Sequence, residues 1–278
     1  MSRIRIAASL EGLSAHLDHS RRGFRVETVP LAAAGPWRLV DGAITHESGG
    51  FFNVIGIEFA DQPGQGDVFL YQLQSAITGL LRTTIEGEQH FLLQARAEPG
   101  TYGIAQYGPT IQSTPANYLR LHGGMATPFV EYFSTHMPNV RLYADSVQLD
   151  LGERYLMKSK RLMLAECRAD ILLKPNFIWV PARVVREAIS QSAFLNIDLR
   201  SLLAVTPWES AAGVRGLTPA SEDVRESLAA PVRPDVLGAI ASRLTGRVSD
   251  ARFVDLASLE NWQLTGLQSA SEPNLTDA

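Results

Sequence analysis

The chain has 278 residues, 45% of them hydrophobic and 19% charged, which is ordinary for a globular fold with a substantial core. Its formal net charge of −4 provides no basic patch and argues against a nucleic-acid partner. No apolar run approaches the ~20 residues that span a bilayer, and the one cysteine, Cys167, cannot form an internal disulfide. We therefore expect a cytoplasmic protein without a membrane partner.

The first part of the chain predicts one helix followed by extended segments. Residues 1–24 predict an N-terminal helix, because Leu10, Leu13 and Leu17 recur on one helical face. Extended chain is predicted up to the DGA turn, and the Gly-rich turn ESGGFF then leads into a strand. The ESGGFF turn could present N–H groups to a phosphate, or it could be only a tight turn before a strand.

The middle of the chain predicts a hairpin, two further strands and a helix. The runs LLRTTI and HFLLQARAE flank the turn EGE, so residues 79–98 predict a β-hairpin. Strands are predicted over 140–150 and 154–167, and a helix over 181–191 with proline in its first turn. The second strand carries three basic residues: Lys158, Lys160 and Arg161. These cations could hold an anionic ligand, or they could lie on a solvated strand face.

The last part of the chain predicts a linker and a short C-terminal segment. Residues 210–232 are rich in Ser, Ala, Pro and Gly and predict a linker. The segment 233–268 contains Trp262, and a helix is predicted over 233–246. Residues 269–278 predict a disordered tail. We therefore expect one main domain over 25–209.

An internal similarity relates two distant parts of the chain. VPLAAAGPWRL (29–39) and VDLASLENWQL (254–264) align without gaps, with Trp37 against Trp262. Chance similarity over so short a stretch is one explanation. The other is that the chain contains one full structural unit and the opening of an unfinished second one.

Residues 94–124 hold the densest set of chemically useful side chains. They contain three glutamines, an Asn-Tyr pair, Glu98, Arg120 and a histidine, punctuated by proline and glycine. Each buried polar side chain needs a hydrogen-bond partner, so such a segment beside an apolar strand predicts a site rather than a core. The common nucleotide-binding, hydrolase and zinc-binding motifs are absent and the histidines lack metal-ligand spacing, so we expect no metal.

Several features of the sequence form one ensemble. They are Trp37, His46 with the SGGFF turn, QARAEPG (94–100), PTIQSTPANYLRLHGG (109–124), the set Gly152, Arg154 and Tyr155, and NIDLRSLLA (196–204). This ensemble resembles the NDP-hexose 2,3-dehydratase family of deoxysugar biosynthesis, and 109–124 is its most specific part. The chain departs from the family at 148–155, where it reads QLDLGERY in place of the common Q-S-E-E-G-G-R-F.

The resemblance implies a fold, a reaction and an assembly. The fold is a Nudix-like mixed α/β core, present here as one repeat where the family usually carries two in tandem. The reaction is that of a cofactor-independent hydro-lyase, which removes water across C2 and C3 of a nucleoside-diphosphate 4-keto-6-deoxyhexose. The assembly is a homodimer, in which two one-repeat chains replace the tandem.

This elimination requires a base for the C3 proton, donors for the enolate oxygen and an acid for the leaving C2 hydroxyl. The ketone itself is the electron sink, so no cofactor is expected. The candidate catalytic residues are His46, Glu98, Tyr118 and His122. The candidate substrate-binding residues are Gln112, Asn117, Arg120, Lys158 and Arg161. The planar guanidinium of Arg120 suits the diphosphate, because it pairs with oxyanions in bidentate fashion.

Other interpretations stay open at this point. Glu98 could be only a turn residue, and Gln112 and Asn117 could simply satisfy loop backbone groups. The chain could be a related lyase or isomerase acting on a keto intermediate that is not a nucleotide sugar. It could also be a non-catalytic protein that binds a ligand or a partner subunit.

Overall fold

The computed structural model describes residues 4–22, 24–59, 63–101, 103–121, 123–134, 140–152, 154–208 and 251–262. The predicted mixed α/β class is confirmed, since short helices accompany two β-sheets that both contain parallel and antiparallel pairs. Among the residues described, no helix combines the length and apolar character that a membrane crossing requires.

The described elements alternate irregularly along the chain. The strands are β1 Trp37–Val40, β2 Ala43–His46, β3 Asn53–Phe59, β4 Gly66–Tyr71, β5 Ala76–Ile85, β6 Glu88–Ala97, β7 Ala105–Gly108, β8 Ile111–Ser113, β9 Arg141–Leu149, β10 Tyr155–Leu156, β11 Ser159–Glu166, β12 Phe177–Pro181 and β13 Ala251–Val254. The helices are α1 Leu10–Arg21, α2 Pro115–Tyr118, α3 Glu131–Ser134, α4 Ala182–Ile189 and α5 Ile197–Val205. Short 3-10 helices lie at Leu31–Ala33 and Leu256–Ser258.

The chain divides into two interleaved compact units. The first unit takes its described residues from Met1–Val26, Gln74–Leu149 and Ser159–Thr218. The second takes them from Glu27–Leu73, Asp150–Lys158 and Pro219–Ala278. Strand pairing joins segments that are far apart along the chain in each unit, and the sequential domains expected from the sequence stay a prediction.

The first unit is built on a seven-stranded sheet with the order β12-β6-β5-β11-β9, to which β7 and β8 are added. Leucines of α1 and α5 and valines of α4 pack in a buried cluster with strand residues such as Leu80, Phe91 and Leu162. A second buried cluster contains Phe133 of α3 and Trp179. Strand residues alternate between the two clusters, as expected when both faces of a sheet are covered.

The predicted hairpin at 79–98 is confirmed as β5 and β6, but its strands separate part of the way along. Their pairing runs from Ile85↔Glu88 to Leu81↔Leu92. Beyond that point β7 pairs with β6 and β8 pairs with β5, so the chain over 105–113 fills the opening. The buried hydroxyl of Thr110 accepts from the Leu81 N–H (2.9 Å) and donates to the Leu92 carbonyl (2.6 Å), which joins the strands where they diverge.

The second unit is built on a six-stranded sheet with the order β1-β2-β3-β4-β10, and β13 also pairs with β3. The predicted DGA turn is confirmed between β1 and β2, where Asp41 and Gly42 both have positive φ, the conformation of a tight hairpin turn. A Cβ at Gly42 would lie 2.6 Å from Cγ of Asp255, so only glycine fits there.

The two similar segments of the sequence share one structural feature. Leu31–Ala33 and Leu256–Ser258 occupy equivalent positions of the alignment, and both form a 3-10 helix. This agreement favours a common origin over chance, and the unfinished second repeat stays a prediction.

Several elements differ from the sequence-based prediction. The strand expected over 154–167 is two strands, β10 and β11, separated at Met157, which has a positive φ of 53°. The predicted helix over 181–191 is α4, with Pro181 as its N-cap. Strand β12 and helix α5 were not predicted as elements. The linker over 210–232, the helix over 233–246 and the tail over 269–278 lie outside the described residues.

Candidate functional site

An arginine holds the predicted base at the end of β6. Arg96 donates from Nε and Nη2 to Oε1 of Glu98, at 2.9 and 2.7 Å, and from Nη1 to Oε1 of Gln94 at 2.9 Å. The three residues are spaced two positions apart along β6 and directly after its end, so their side chains lie on one face. The side chains of Arg96 and Glu98 are 24% and 34% exposed, which leaves the carboxylate within reach of solvent.

Helix α5 fixes the orientation of a second pair of polar side chains. Asn196 is its N-cap, and Oδ1 accepts from the Leu199 N–H at 2.9 Å, so the amide nitrogen must be the group that points outward. That nitrogen donates to Oε1 of Gln112 at 3.0 Å. Because Gln112 accepts through its oxygen, its own amide nitrogen remains on the side away from Asn196 as a donor.

Gly108 lies between these two groups. A Cβ at Gly108 would lie 2.6 Å from Cδ of Arg96 and 3.0 Å from Nδ2 of Asn196. Any other residue would therefore displace Arg96 or Asn196. We call the five side chains around this glycine the polar network: Gln94, Arg96, Glu98, Gln112 and Asn196.

The segment 94–124 thus consists of two halves. The strand half (94–113) carries four members of the polar network and is tied into the sheet. The turn half (114–124) begins with α2, where Tyr118 packs against the buried cluster of Phe133 and Trp179. Asn117 is exposed, and Arg120 is exposed with a φ of 60° and donates from Nε to the Gly124 carbonyl at 3.1 Å. His122 lies outside the described residues.

The other predicted catalytic residue, His46, belongs to the second unit, at the end of β2. Its Nδ1 accepts from the Ser48 N–H at 3.2 Å and lies 2.7 Å from the Ser48 hydroxyl. A neutral ring therefore carries its proton on Nε2. The Gly49 and Gly50 N–H groups donate to the His46 carbonyl and the Ser48 hydroxyl. Since the N–H groups of Ser48, Gly49 and Gly50 are used within the turn, the structure favours a tight turn over a phosphate cradle.

Each basic residue around β11 has an internal partner, although Arg161 is also exposed. Lys160 forms a buried ion pair with Asp198. Lys158 is also buried, donating to Oε1 of Gln72 at 2.8 Å and lying 4.3 Å from the ring centroid of Tyr155.

Arg161 is held in a bidentate pair with Asp145, at 2.7 and 2.6 Å. The hydrogen bond to Arg161 lowers the pKa of Asp145, and the same bond raises the pKa of Arg161. Each predicted cation of this region is therefore committed to an internal partner, and Lys158 and Arg161 stay only predictions as substrate-binding residues.

Sequence reasoning missed Arg96 and Asn196 as site residues. Arg96 stands two positions before Glu98 on a strand, a spacing that puts both side chains on one face. Asn196 followed by a first-turn acid and an apolar run is a helix N-cap signal. Only the fold, however, brings Asn196 next to Gln112.

The described residues also bear on metal binding and on thiol chemistry. None of their His, Cys, Asp and Glu side chains forms a group of three that could hold a metal ion. Burial raises the pKa of the Cys167 thiol to about 12, so Cys167 is not a reactive thiolate at neutral pH.

Three curated proteins share extensive similarity with this chain, and each is named dTDP-4-dehydro-6-deoxy-alpha-D-glucopyranose 2,3-dehydratase. The protein of Amycolatopsis orientalis is 32% identical over 197 residues, covering 67% of this chain and 42% of the relative. That of Streptomyces violaceoruber is 30% identical over 196 residues, covering 68% and 44%. That of Saccharopolyspora spinosa is 25% identical over 263 residues, covering 90% and 54%. The chain thus spans about half the length of these relatives.

A structural comparison finds a Nudix hydrolase from M. smegmatis, RenU, at 14% identity and a TM-score of 0.26, covering 52% of this chain and 87% of the hydrolase. At that score the Nudix-like character of the core stays a prediction. The model of the family described as NDP-hexose 2,3-dehydratase matches residues 14–206, a range that includes the whole polar network. The chain belongs to the NDP-hexose 2,3-dehydratase family.

Proposed function

We propose that this chain eliminates water across C2 and C3 of a nucleoside-diphosphate 4-keto-6-deoxyhexose. The observation that supports this most directly is that the family match over 14–206 contains the polar network around Gly108. The relatives' names describe a dTDP-linked 4-dehydro-6-deoxy-glucose substrate, and we extend that substrate class to this chain.

Glu98 is the base in this proposal. It follows a rigid strand and is oriented by two N–H groups of Arg96, as a positioned base requires. Within the described residues only Oε1 takes a side-chain hydrogen bond, so Oε2 can receive the C3 proton. The C4 carbonyl acidifies that proton, and its removal places the electron pair on the ketone oxygen as an enolate. The enolate then returns the pair to form the C2–C3 double bond, and the C2–O bond breaks as the acid protonates the hydroxyl, which leaves as water.

Gln112 is the donor that we assign to the developing enolate oxygen. The bonds from α5 through Asn196 fix its amide so that the nitrogen can donate, and a donor held in place before reaction needs no reorganisation during it. Tyr118, His46 and His122 remain candidates for the acid at the leaving hydroxyl. For His46 the Nε2 proton suits a donor better than a base. Asn117 and Arg120 are candidates for binding the nucleotide.

The reaction is tested by incubating the purified chain with dTDP-4-keto-6-deoxyglucose in deuterated water and following it by NMR. We expect loss of the C2 hydroxyl and deuterium at the carbon beside the ketone. Exchange and elimination with a different keto compound, but none with the sugar nucleotide, would support the related lyase. Failure of both with every keto sugar nucleotide would contradict the proposal.

We also propose that the chain forms a homodimer through β9. Among the described strands the nine-residue β9 pairs only with β11, so no described strand covers its other edge. Val147 and Leu149 on this strand are 67% and 74% exposed, and exposed apolar side chains at an edge mark association sites.

Light scattering tests the dimer. We expect a dimer at micromolar concentration that dissociates in Val147→Lys, whereas Leu172→Lys, at another exposed apolar position, leaves it intact. A monomeric wild-type chain would contradict the proposal.

A further inference from the structure

The first turn of helix α5 is tied by polar side chains to two different strands of the first unit. Its N-cap Asn196 donates to Oε1 of Gln112 on β8 at 3.0 Å. Two residues later, Asp198 accepts from Nζ of Lys160 on β11. Over residues 77–79, β5 pairs with β8 on one side and with β11 on the other. The first turn of α5 therefore reaches across three adjacent strands.

The pair of Lys160 and Asp198 is buried, with side chains only 10% and 8% exposed. By contrast, the pair of Arg82 and Glu166, which joins β5 and β11 further along the sheet, leaves the Glu166 side chain 32% exposed. Burying two charges costs desolvation, and apolar side chains of similar volume often stabilise a fold equally well. An ion pair adds fixed geometry, because its hydrogen bond is directional. The buried pair is therefore better explained by orientation than by stability.

The rest of α5 is held by contacts that have no preferred direction. Leu199, Leu202 and Leu203 lie in the buried cluster with the strand residues. Apolar burial depends on the area removed from water and not on angle, so the polar ties decide where the first turn lies along the sheet. A displacement of that turn would carry Asn196 with it, and a hydrogen bond such as that to Gln112 weakens steeply outside a narrow range of geometry.

We infer that Lys160 and Asp198 are positioning residues for the enolate donor, and that they act through Asn196 on Gln112. This inference rests on the proposed function, in which Gln112 donates to the developing enolate oxygen. Lys160 fixes Asp198, Asp198 fixes the first turn of α5, and the cap of that turn fixes the amide of Gln112. Neither residue of the buried pair has to contact the substrate for this role.

Steady-state kinetics with dTDP-4-keto-6-deoxyglucose test this role in a double-mutant cycle with Gln112→Met. In the wild-type background we expect Lys160→Met to lower kcat roughly 10²-fold, the effect of displacing a reacting group by about 1 Å, with little change in KM. In the Gln112→Met background the same change should lower kcat no further, because the group on which it acts is absent. Lys160→Arg, which keeps the cation, should restore part of the rate.

Arg82→Met is the matched control, since it also breaks an ion pair with β11, at Glu166 on the far end of that strand. We expect it to lower stability and to leave kcat unchanged. A fall in kcat that is equal in the two Gln112 backgrounds, or that Arg82→Met reproduces, would overturn the inference, and so would an unchanged kcat in Lys160→Met. Should Lys160→Met not fold, Lys160→Met/Asp198→Leu takes its place, because it leaves no buried charge unpaired.

A measurement without substrate separates this inference from the proposed function. The side-chain amide of Asn196 is followed by NMR and identified by its absence in Asn196→Asp, which keeps the helix cap. In Lys160→Met we expect its N–H resonances to move to those of an unbonded asparagine, and in Arg82→Met to stay in place. If the wild type turns over no keto sugar nucleotide, the proposed function fails, while this result still decides whether the pair positions Gln112. Unmoved resonances in Lys160→Met would overturn the inference even with an active wild type.

Discussion

The two halves of segment 94–124 are equally polar in sequence but differ in construction. In the strand half, Arg96, Glu98 and Gln112 have side-chain partners that fix their orientation. In the turn half, Asn117 and Arg120 are exposed, and Leu119 and Leu121 beside them are 63% and 59% exposed. Groups that act on a reacting bond need fixed geometry, whereas groups that capture a ligand can be ordered by it. Under the proposed function we therefore expect the base and the enolate donor in the strand half, and nucleotide capture by Asn117 and Arg120 of the turn half.

The largest effect should come from the base in the strand half. Glu98→Gln keeps the shape and the bond from Arg96 but cannot take a proton, so we expect the turnover rate to fall roughly 10²–10⁴-fold. Deuterium exchange beside the ketone should stop as well. The control is Glu88→Gln, at the start of the same strand and also paired with an arginine, Arg183. Normal deuterium exchange in Glu98→Gln would contradict the assignment of the base to Glu98.

The donor in the strand half should come next. Gln112→Met preserves length but removes the amide, and loss of one oxyanion donor lowers kcat roughly 10²–10³-fold. We expect little change in KM, because the donor acts on charge that develops only in the transition state. Gln106→Met is the control, since Gln106 donates to the Ala193 carbonyl at 2.8 Å and has no part in the proposal. A change in KM with kcat unaltered would mean that Gln112 binds the substrate and does not stabilise the enolate.

Arg120 of the turn half should affect binding and not chemistry. Arg120→Ala should weaken nucleotide diphosphate binding by about 1.5–3 kcal/mol, the range for a hydrogen bond to a charged group. Calorimetry measures this, with Arg168→Ala as the control because its side chain is 80% exposed and remote in sequence. Unchanged affinity in Arg120→Ala would leave the turn half without its role. A fall in kcat at saturating substrate would instead show that Arg120 contributes to the chemical step.

The frame of the strand half is tested through stability. Thr110→Val removes the hydroxyl that joins Leu81 and Leu92 and leaves both backbone groups buried, so we expect a loss of roughly 1–3 kcal/mol in the free energy of unfolding. Urea denaturation measures it, and Thr84→Val in the outer part of β5, where the residue is exposed, is the control. Equal stability of both variants would mean that Thr110 does not hold the opening of the hairpin.

The smallest effect concerns pH and the packing of α1 against the strand half. His16 lies 2.9 Å from both the Tyr107 hydroxyl and the Pro175 carbonyl, and burial lowers its pKa below its ordinary value of 6.5. The unfolded chain therefore binds this proton more readily, and the contribution of neutral His16 is complete above pH 6.5 and is lost as the pH falls below that value.

Because about one hydrogen bond changes, acidification from pH 7.5 to 5.5 should lower the contribution of His16 to the free energy of unfolding by less than about 1 kcal/mol. Thermal unfolding of His16→Gln should lack this part of the pH dependence, and His19→Gln, exposed on the same helix, should retain it. An identical pH dependence in both variants would contradict this role of His16.

Part of the molecule could be predicted from local sequence. The N-terminal helix, the DGA turn and the hairpin at 79–98 depend on residue spacing and turn residues within a few positions, and all three are confirmed. Strand β12 was missed because its uninterrupted apolar run, FIWV, lacks the alternation of a half-exposed strand. The break at Met157 was missed because a positive φ at a non-glycine residue has no local signal.

The sequence by itself determined which residues are chemically useful in 94–124 and the family to which the chain belongs, because residue identity and order carry both. Only the tertiary structure decided how they are oriented. Gln112 can donate because Asn196, 84 positions away, is fixed by the cap of α5, and Arg96 reaches Glu98 beside a glycine that leaves room for it. The structure also showed that Lys160 and Arg161 are neutralised by Asp198 and Asp145. Partners distant in sequence meet only through the pairing of strands and the packing of a helix on the sheet, and a local sequence pattern does not predict such contacts.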